Sequence, residues 1–285
     1  MRDAIQYRTG YEPGFDLGQN RCRIMAPCCS ADDPSIMPSQ LSLTPVDVNR
    51  LKAVCSKCSL RELCLPAGLD QRELEAVDRL VTRRRPVKRG DYLYRAGSEL
   101  QSLYAIRVGF IKSCVLHEDG REQVAGFHMM GDLLGLDAIS SNRHMCDAIA
   151  LDDTEVCEIP FAVLEQFSRD IPSLQQHFHR IMSREIVRDH GVMLLLGSMR
   201  AEERLAAFLL NLSQRFAARG YSPSEFNLRM TREEIGSYLG LKLETISRVL
   251  SRFHDEGLIE VRSKLVRIVK MDALRGLIGQ HACQT

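Results

Sequence analysis

Hydrophobic and polar residues alternate in short runs through the first half of the chain. The clearest runs are 103–108 and 111–116, both rich in β-branched or aromatic residues. Turn signals containing glycine separate the runs, at Gly90, Gly97, Gly109, Gly120 and Gly131. Short strands divided by regular turns favour an antiparallel sheet that closes on itself. We therefore predict a small antiparallel β-roll, closed by the run from Thr154 to Ile159.

The pattern changes to a helical period at Pro172 and keeps it to about Gly197. Apolar residues three and four apart are typical of a helix that pairs with a copy of itself. The predicted contact stripe is His179, Met182, Ile186, Asp189, Met193 and Leu196. Asp189 would face its own copy, so like charges would weaken the pair. A helix that packs only on its own domain is the alternative.

The last third of the chain has the pattern of a winged helix-turn-helix. Helices are expected at 201–219, 231–240 and 243–254, followed by a β-hairpin wing at 259–269. Thr231 and Glu234 have the spacing of a capping box, which sets the start of the second of these helices. Gly240 supplies the turn between the paired helices.

The helix at 243–254 presents a polar face when its apolar residues pack inward. That outward face carries Glu244, Thr245, Ser247, Arg248 and Arg252. In a helix-turn-helix this helix enters the major groove of DNA, where Arg can hold guanine with two bonds and Glu can accept from cytosine. The alternative is a solvated ion pair between Glu244 and Arg248. Lys242 holds the capping position, but its side chain cannot accept a backbone hydrogen bond, although it could reach a DNA phosphate; we therefore expect the start of this helix to be frayed without DNA.

The composition is that of an ordinary globular protein, with 45% hydrophobic residues, 26% charged residues and a net charge of +1. We find no membrane span and no secretory signal, which predicts a cytoplasmic protein whose thiols stay reduced. The ten cysteines then favour metal chemistry over disulfides. No catalytic triad and no phosphate loop appears, so we predict no enzyme activity.

Three cysteines form a compact group with two and five residues between them: Cys55, Cys58 and Cys64. Such a loop is typical of an iron–sulfur site, and a cubane cluster takes a fourth thiolate from elsewhere. Cys157 and Cys114 are candidates, although each also looks like a core residue of a strand, and Cys146 lies in a polar segment. Tetrahedral zinc is the main alternative. Haem, or a role as an electron carrier, is less favoured because the histidines are scattered and a carrier needs no DNA-reading helix.

Several stretches together match one family: 103–107, 126–128, 131–133, 157–161, 201–208 and 239–248. On these residues the chain resembles the FNR branch of the CRP/FNR superfamily of bacterial transcription regulators, over about residues 50–275. The resemblance implies an α+β protein with an N-terminal antiparallel β-roll like that of cyclic-nucleotide-binding domains. A long dimerisation helix and a C-terminal winged helix-turn-helix would follow the roll.

The resemblance also implies an oxygen-labile [4Fe–4S] cluster as cofactor, with Cys157 as the fourth ligand beside the three cysteines of the loop. The intact cluster would promote homodimerisation and binding to palindromic DNA operators with half-sites like TTGAT, and air would switch the protein off. Glu244, Ser247 and Arg248 match the base-contacting residues of the family. RNA polymerase is an implied partner, with the hairpin around 117–121 as a candidate contact.

The expected organisation is a flexible leader at 1–43, a cluster loop and sensor roll at 44–168, a dimerisation helix at 169–197 and a DNA-binding domain at 198–285. The resemblance says nothing about the leader cysteines Cys22, Cys28 and Cys29. In the nucleotide-binding members of the superfamily, an acid and an arginine hold the phosphate. Leu136 and His144 stand at those places here, so we predict no cyclic-nucleotide binding.

Overall fold

The computed structural model describes residues 55–81, 83–116 and 120–278. The predicted leader and its cysteines lie outside these residues. The strands are β1 Arg83–Val87, β2 Tyr92–Tyr94, β3 Ser102–Val108, β4 Phe110–Leu116, β5 Glu122–Met129, β6 Leu133–Leu134, β7 Asp147–Ala150, β8 Thr154–Pro160, β9 Glu225–Asn227, β10 Ile259–Arg262 and β11 Leu265–Ile268. The helices are α1 Gln71–Leu80, α2 Phe161–Asp170, α3 Pro172–Ser198, α4 Ala201–Ala217, α5 Arg232–Leu239, α6 Leu243–Asp255 and α7 Met271–Ile278.

Strands β1 to β8 form two four-stranded antiparallel sheets, in the orders β1-β8-β3-β6 and β2-β7-β4-β5. The inner faces of both sheets meet in an apolar core that includes Ile106, Ile111 and Val156. Gly109 joins β3 to β4 at a φ of +100°, and a Cβ there would stand 2.3 Å from the hydroxyl of Thr154. Only glycine fits such a close approach. The predicted β-roll is confirmed.

The strand β8 lies between β1 and β3, so its residues are fixed from both sides. Cys157 pairs with Arg84 on β1 and with Ala105 on β3. This pairing joins segments of the chain that are more than 50 residues apart, and it brings Cys157 to the side of the roll where α1 and the cysteine loop pack.

Helix α1 begins at Asp70, whose side chain accepts from the backbone N–H of Glu73 in a capping box. Helices α2 and α3 are separated at Ile171, where the backbone is extended, and Pro172 takes the first position of α3. Proline suits that position because the N–H it lacks has no helical partner there. The domain boundary that we expected between residues 168 and 169 therefore falls inside α2. The helix is interrupted three residues later, at Ile171.

The C-terminal part consists of α4 to α7 and the three-stranded sheet β10-β11-β9. The capping box of Thr231 and Glu234 is present, and Gly240 ends α5 in the left-handed conformation at a φ of +63°. Strands β10 and β11 form the wing. The predicted winged helix-turn-helix is confirmed.

Aromatic packing joins the roll to the helices that follow it. The ring of Phe127 on β5 lies 5.2 Å from that of Tyr238 on α5 and 6.0 Å from that of Phe208 on α4, centroid to centroid. The two parts of the chain thus share one apolar cluster. Among the helices of the described residues, none has both the length and the apolar character to cross a membrane.

Candidate functional site

Cys55, Cys58, Cys64 and Cys157 line one small cavity of about 30 Å³ between the cysteine loop, α1 and β8. Its remaining walls are mostly apolar and include Leu65, Val77, Ile106 and Ile159. The two rival cysteines lie elsewhere: Cys114 is buried on β4, and Cys146 lines a different cavity. The structure thus brings together the four cysteines that the resemblance pointed to.

Among the described residues, no three His, Cys, Asp or Glu side chains are grouped closely enough to ligate a single metal ion. A [4Fe–4S] cluster is several atoms across, and each of its four thiolates binds a different iron. Its ligands therefore stand further apart than those of one ion. Four thiols around a shared apolar cavity fit the donor set of such a cluster.

The cysteine loop is held at both of its ends. Asp78 on α1 accepts hydrogen bonds from the backbone N–H of Cys55 and from the hydroxyl of Ser56, the latter at 2.7 Å. At the other end, the imidazole Nε2 of His177 on α3 hydrogen-bonds to the carbonyl oxygen of Cys64 at 3.1 Å. The loop is therefore tied to α1 and to the long helix together.

The thiols of Cys55, Cys64 and Cys157 disfavour the charged form. Burial raises the pKa of the Cys64 thiol to about 12, and the nearby Cys157 and Cys58 sulfurs add to the rise. Burial likewise raises the pKa of Cys157 to about 11. The pKa of Cys55 is raised further above its usual range, first by burial and then by Cys64 and Cys157. Neighbouring cysteines therefore add to the effect of burial on the pKa values of Cys55 and Cys64.

Two arginines beside Cys157 oppose this effect. Arg107 and Arg84 both lower the pKa of the Cys157 thiol. Their guanidinium groups flank Glu155, with closest nitrogen-to-oxygen distances of 3.5 Å from Arg107 and 3.8 Å from Arg84. Sequence reasoning missed both, because only the pairing of β8 with β1 and β3 brings them to the cysteine.

The helix-turn-helix presents a polar face on α6. Glu244 and Arg248 are exposed, and Thr245 and Ser247 are half-buried. Among the ion pairs of the described residues, none joins Glu244 to Arg248, so the solvated pair that we considered does not form. Both side chains are available to an outside partner. As expected, Lys242 makes no side-chain cap at the start of α6.

Arg252 differs from the other predicted DNA contacts. Its guanidinium lies 3.0 Å from Glu202 on α4 and 3.6 Å from Glu256, which directly follows α6. The structure gives this side chain two carboxylate partners within the chain. Arg252 as a DNA contact stays a prediction.

The predicted stripe on α3 is largely exposed. Ile186 and Met193 are 55% and 64% exposed, and His179 and Asp189 are exposed as well. Met182 and Leu196 are half-buried. Exposed apolar side chains along a helix of 27 residues are typical of a surface that binds another protein segment.

A cavity of about 450 Å³ lies between the roll and α3, and Leu136 is among the residues that line it. Three carboxylates line it, those of Asp137, Glu185 and Asp189, and Arg188 lies in an ion pair with Glu185. His144 is buried and stacks on Tyr94 with ring centroids 3.7 Å apart. The cavity therefore lacks a free cation among its described lining residues.

Comparison with known proteins agrees with this architecture. A family model described as a Crp-like helix-turn-helix domain matches residues 203–277, and a cyclic nucleotide-binding domain model matches residues 84–170. The chain is 51% identical over 225 residues to the fumarate and nitrate reduction regulatory protein of Escherichia coli strain K12, covering 79% of this chain and 90% of that protein. It is 48% identical over 231 residues to the transcriptional regulatory protein btr of Bordetella pertussis, covering 81% of this chain and 96% of that protein.

Among solved structures, FixK2 from Bradyrhizobium japonicum aligns with a TM-score of 0.64 at 30% identity, over 68% of this chain and 96% of that chain. The roll, the helix-turn-helix and these relatives define a DNA-binding transcription regulator, and such regulators are not enzymes. Within that class, the chain belongs to the FNR branch of the CRP/FNR family.

Proposed function

We propose that this protein is an oxygen-sensing transcription regulator that holds a [4Fe–4S] cluster and binds palindromic TTGAT-type operators as a homodimer when oxygen is absent. The observation that carries the proposal is the cavity shared by the three loop cysteines and Cys157. The similarity to fumarate and nitrate reduction regulatory proteins supports it.

The residues around the cavity fit such a group. Cys55, Cys58, Cys64 and Cys157 would be its ligands, and most of the other residues that line the cavity are apolar. When bound, the cluster supplies iron–thiolate bonds that oxygen attacks. Arg84 and Arg107 place positive charge beside Cys157, which favours its thiolate form.

Loading the site would also order the segment that precedes the roll. The loop and β8 become one unit when their thiolates share a group, and Asp78 and His177 already fasten the loop to α1 and α3. His177 is on the first half of α3, ahead of the exposed stripe. Whether the loop is joined to β8 would therefore affect how α3 is positioned for pairing with a second copy.

Pairing of α3 with a second copy would bury Ile186 and Met193, which are more than half exposed in one chain. The same pairing would bring two copies of Asp189 together, and this repulsion keeps the association weak. A dimer presents two α6 helices to half-sites about 34 Å apart, whereas a monomer presents one. Dimerisation therefore decides operator binding.

On α6, Glu244, Ser247 and Arg248 are the proposed base contacts, with Thr245 and Arg252 alongside them. The exposed, mutually unpaired Glu244 and Arg248 support this assignment. RNA polymerase is the proposed second partner, through the hairpin between β4 and β5. Residues 117–119 at its tip lie outside the described residues.

We infer that the large cavity beside α3 does not take a cyclic nucleotide. Asp137, Glu185 and Asp189 would repel a phosphate, and Arg188 is already engaged by Glu185. The side chain of Leu136 cannot hydrogen-bond to a ribose or phosphate, and the Nδ1 of His144 lies 3.5 Å from a carboxylate oxygen of Asp137. The match to a cyclic nucleotide-binding domain model therefore describes the fold of residues 84–170 and does not by itself imply a bound nucleotide.

Purification without oxygen tests the cluster directly. We expect the parent protein to be brown and to contain about four irons and four sulfides per chain, because a cubane has that composition. Cys157→Ser should lose most of this iron. Cys114→Ser is the matched control, since Cys114 is buried in the same roll but lies outside the cavity.

Retention of full iron by Cys157→Ser would contradict the ligand assignment. A colourless parent protein with one zinc per chain would contradict the cluster itself. Loss of iron in Cys114→Ser to the same extent would show that damage to the roll, and not loss of a ligand, explains the result.

A further inference from the structure

The turn between β5 and β6 carries a carboxylate that holds two arginines of the DNA-binding part. Asp132 accepts from Arg219 at 2.7 Å and from Arg215, both on or just after α4. It also accepts from the backbone N–H of Met129 at 2.8 Å. Arg215 donates in addition to the carbonyl oxygen of Phe127 on β5 at 2.9 Å.

This network is largely removed from water. The side chains of Asp132, Arg215 and Arg219 are 14%, 17% and 7% exposed. Burial alone would raise the pKa of Asp132, but Arg215 and Arg219 outweigh it and hold that pKa below its usual value. Breaking one partner of a buried ion pair leaves an uncompensated charge, so such a contact is held firmly or given up as a whole.

The cysteine loop packs against the same turn. Gly131, next to Asp132, has a φ of +89°, and a Cβ built on it would lie 3.1 Å from the Cβ of Leu63. The same point lies 3.9 Å from a guanidinium nitrogen of Arg219. Leu63 directly precedes Cys64, so a ligand cysteine, the turn and the end of α4 are neighbours in space.

We propose that Asp132 is a positioning residue that couples the cysteine loop to the DNA-binding part of the same chain, through Leu63, Gly131 and the two arginines. The proposal rests on the proposed function, because the loop must change state for the coupling to matter. This coupling acts within one chain and is separate from the dimerisation of α3. A loop that moves Leu63 away from Gly131 releases the turn, and the turn releases the end of α4.

Other contacts between the roll and the DNA-binding part supply a matched control. Arg229 lies 2.8 Å from Asp152 in an ion pair that joins the same two parts but involves neither Leu63 nor the turn. A coupling specific to Asp132 should be unaffected by Arg229→Gln. A general loosening of the two parts should follow from either change.

The first arm of the test uses substitutions alone, without a change of oxygen. Amide hydrogen exchange of the full chain, before any air is admitted, is measured for residues 211–219 in the parent, Leu63→Ala, Asp132→Asn and the double variant. We expect Leu63→Ala to speed exchange there about tenfold in the parent background and to have little effect once Asp132 is Asn. Effects that multiply independently would overturn the coupling.

The second arm compares each protein before and after air. In the parent we expect faster exchange both at 55–64 and at 211–219; in Asp132→Asn only the loop should respond, while Arg229→Gln should behave as the parent. The proposal is overturned if air speeds exchange at 211–219 in Asp132→Asn as much as in the parent. It is also overturned if Arg229→Gln loses the response at 211–219 as fully as Asp132→Asn does.

Iron analysis separates this proposal from the proposed function. A parent protein without iron, or unchanged exchange at 55–64 after air, would contradict the proposed cluster. The first arm would still decide whether Asp132 couples the loop to the DNA-binding part. Should Asp132→Asn fail to fold, Arg219→Gln replaces it in both arms, since Asp132 then keeps Arg215 as a partner. The same outcomes support or overturn the coupling in that background.

Discussion

Arg248 is an exposed arginine on the first turns of α6 without an ion-pair partner among the described residues. Its neighbours Ile246, Val249 and Leu250 are buried, which fixes the face of the helix that it occupies. A guanidinium in that position can form two hydrogen bonds to one guanine, whereas the ammonium of lysine acts as a point charge.

Arg248→Ala should therefore cost about 1–3 kcal/mol of operator binding and relax the preference at one base pair. Arg248→Lys keeps the charge and serves as the matched control; it should bind nonspecific DNA as the parent does but lose the same preference. Anisotropy titrations against the operator and a set of single-base variants measure both effects. Equal weakening on every sequence would instead identify Arg248 as a phosphate contact.

The helix α3 has one part packed on the roll and another part exposed to solvent. Its first half is buried against the roll through Leu174, His177 and Ile181, and the stripe from His179 to Leu196 is the part that a partner would cover. Asp189 lies within the exposed part. Two unit charges about 4 Å apart in water repel by about 1 kcal/mol, and salt weakens this further.

Asp189→Ala should for this reason tighten dimerisation in air roughly fivefold. Sedimentation velocity across a dilution series gives the dissociation constant, and added salt should strengthen the parent dimer while leaving the variant unchanged. Glu165→Ala, on the exposed face of α2, is the control for removal of an acid. If Asp189→Ala stays as monomeric as the parent, repulsion between the two Asp189 carboxylates does not limit dimerisation.

The elements whose signals are local could be predicted from the sequence. The capping box at Thr231, the turn at Gly240 and the proline at the start of α3 each act within a few residues, and each is found where it was expected. The position of Cys157 beside the loop depends instead on β8 pairing with β1 and β3. Only the family resemblance indicated it beforehand.

Contacts between residues far apart in the chain could not be predicted from the local sequence pattern. Asp132 and Arg219 are 87 residues apart, and neither has a local pattern that distinguishes it from a surface charge. Arg84 and Arg107 reach Cys157 from two different strands. Arg252 looks like its neighbours on the outward face of α6, but Glu202 on α4 engages it. Tertiary packing decides these positions, and periodicity cannot show it.

In the whole molecule, the cysteine loop contacts both α3 and the turn between β5 and β6. His177 ties it to α3, and Leu63 meets the turn that holds α4. One change in the loop can therefore reach both the pairing helix and the DNA-reading part. This arrangement explains how a single small site could govern binding to a twofold DNA element.

The most direct test follows the site and the DNA in one sample. Anaerobic protein is mixed with labelled palindromic operator, air is admitted, and visible iron–thiolate absorption and DNA anisotropy are recorded together. Our account predicts that both signals fall in step, with release of DNA following loss of the iron–thiolate absorption. Operator that stays bound after that absorption has disappeared would contradict it.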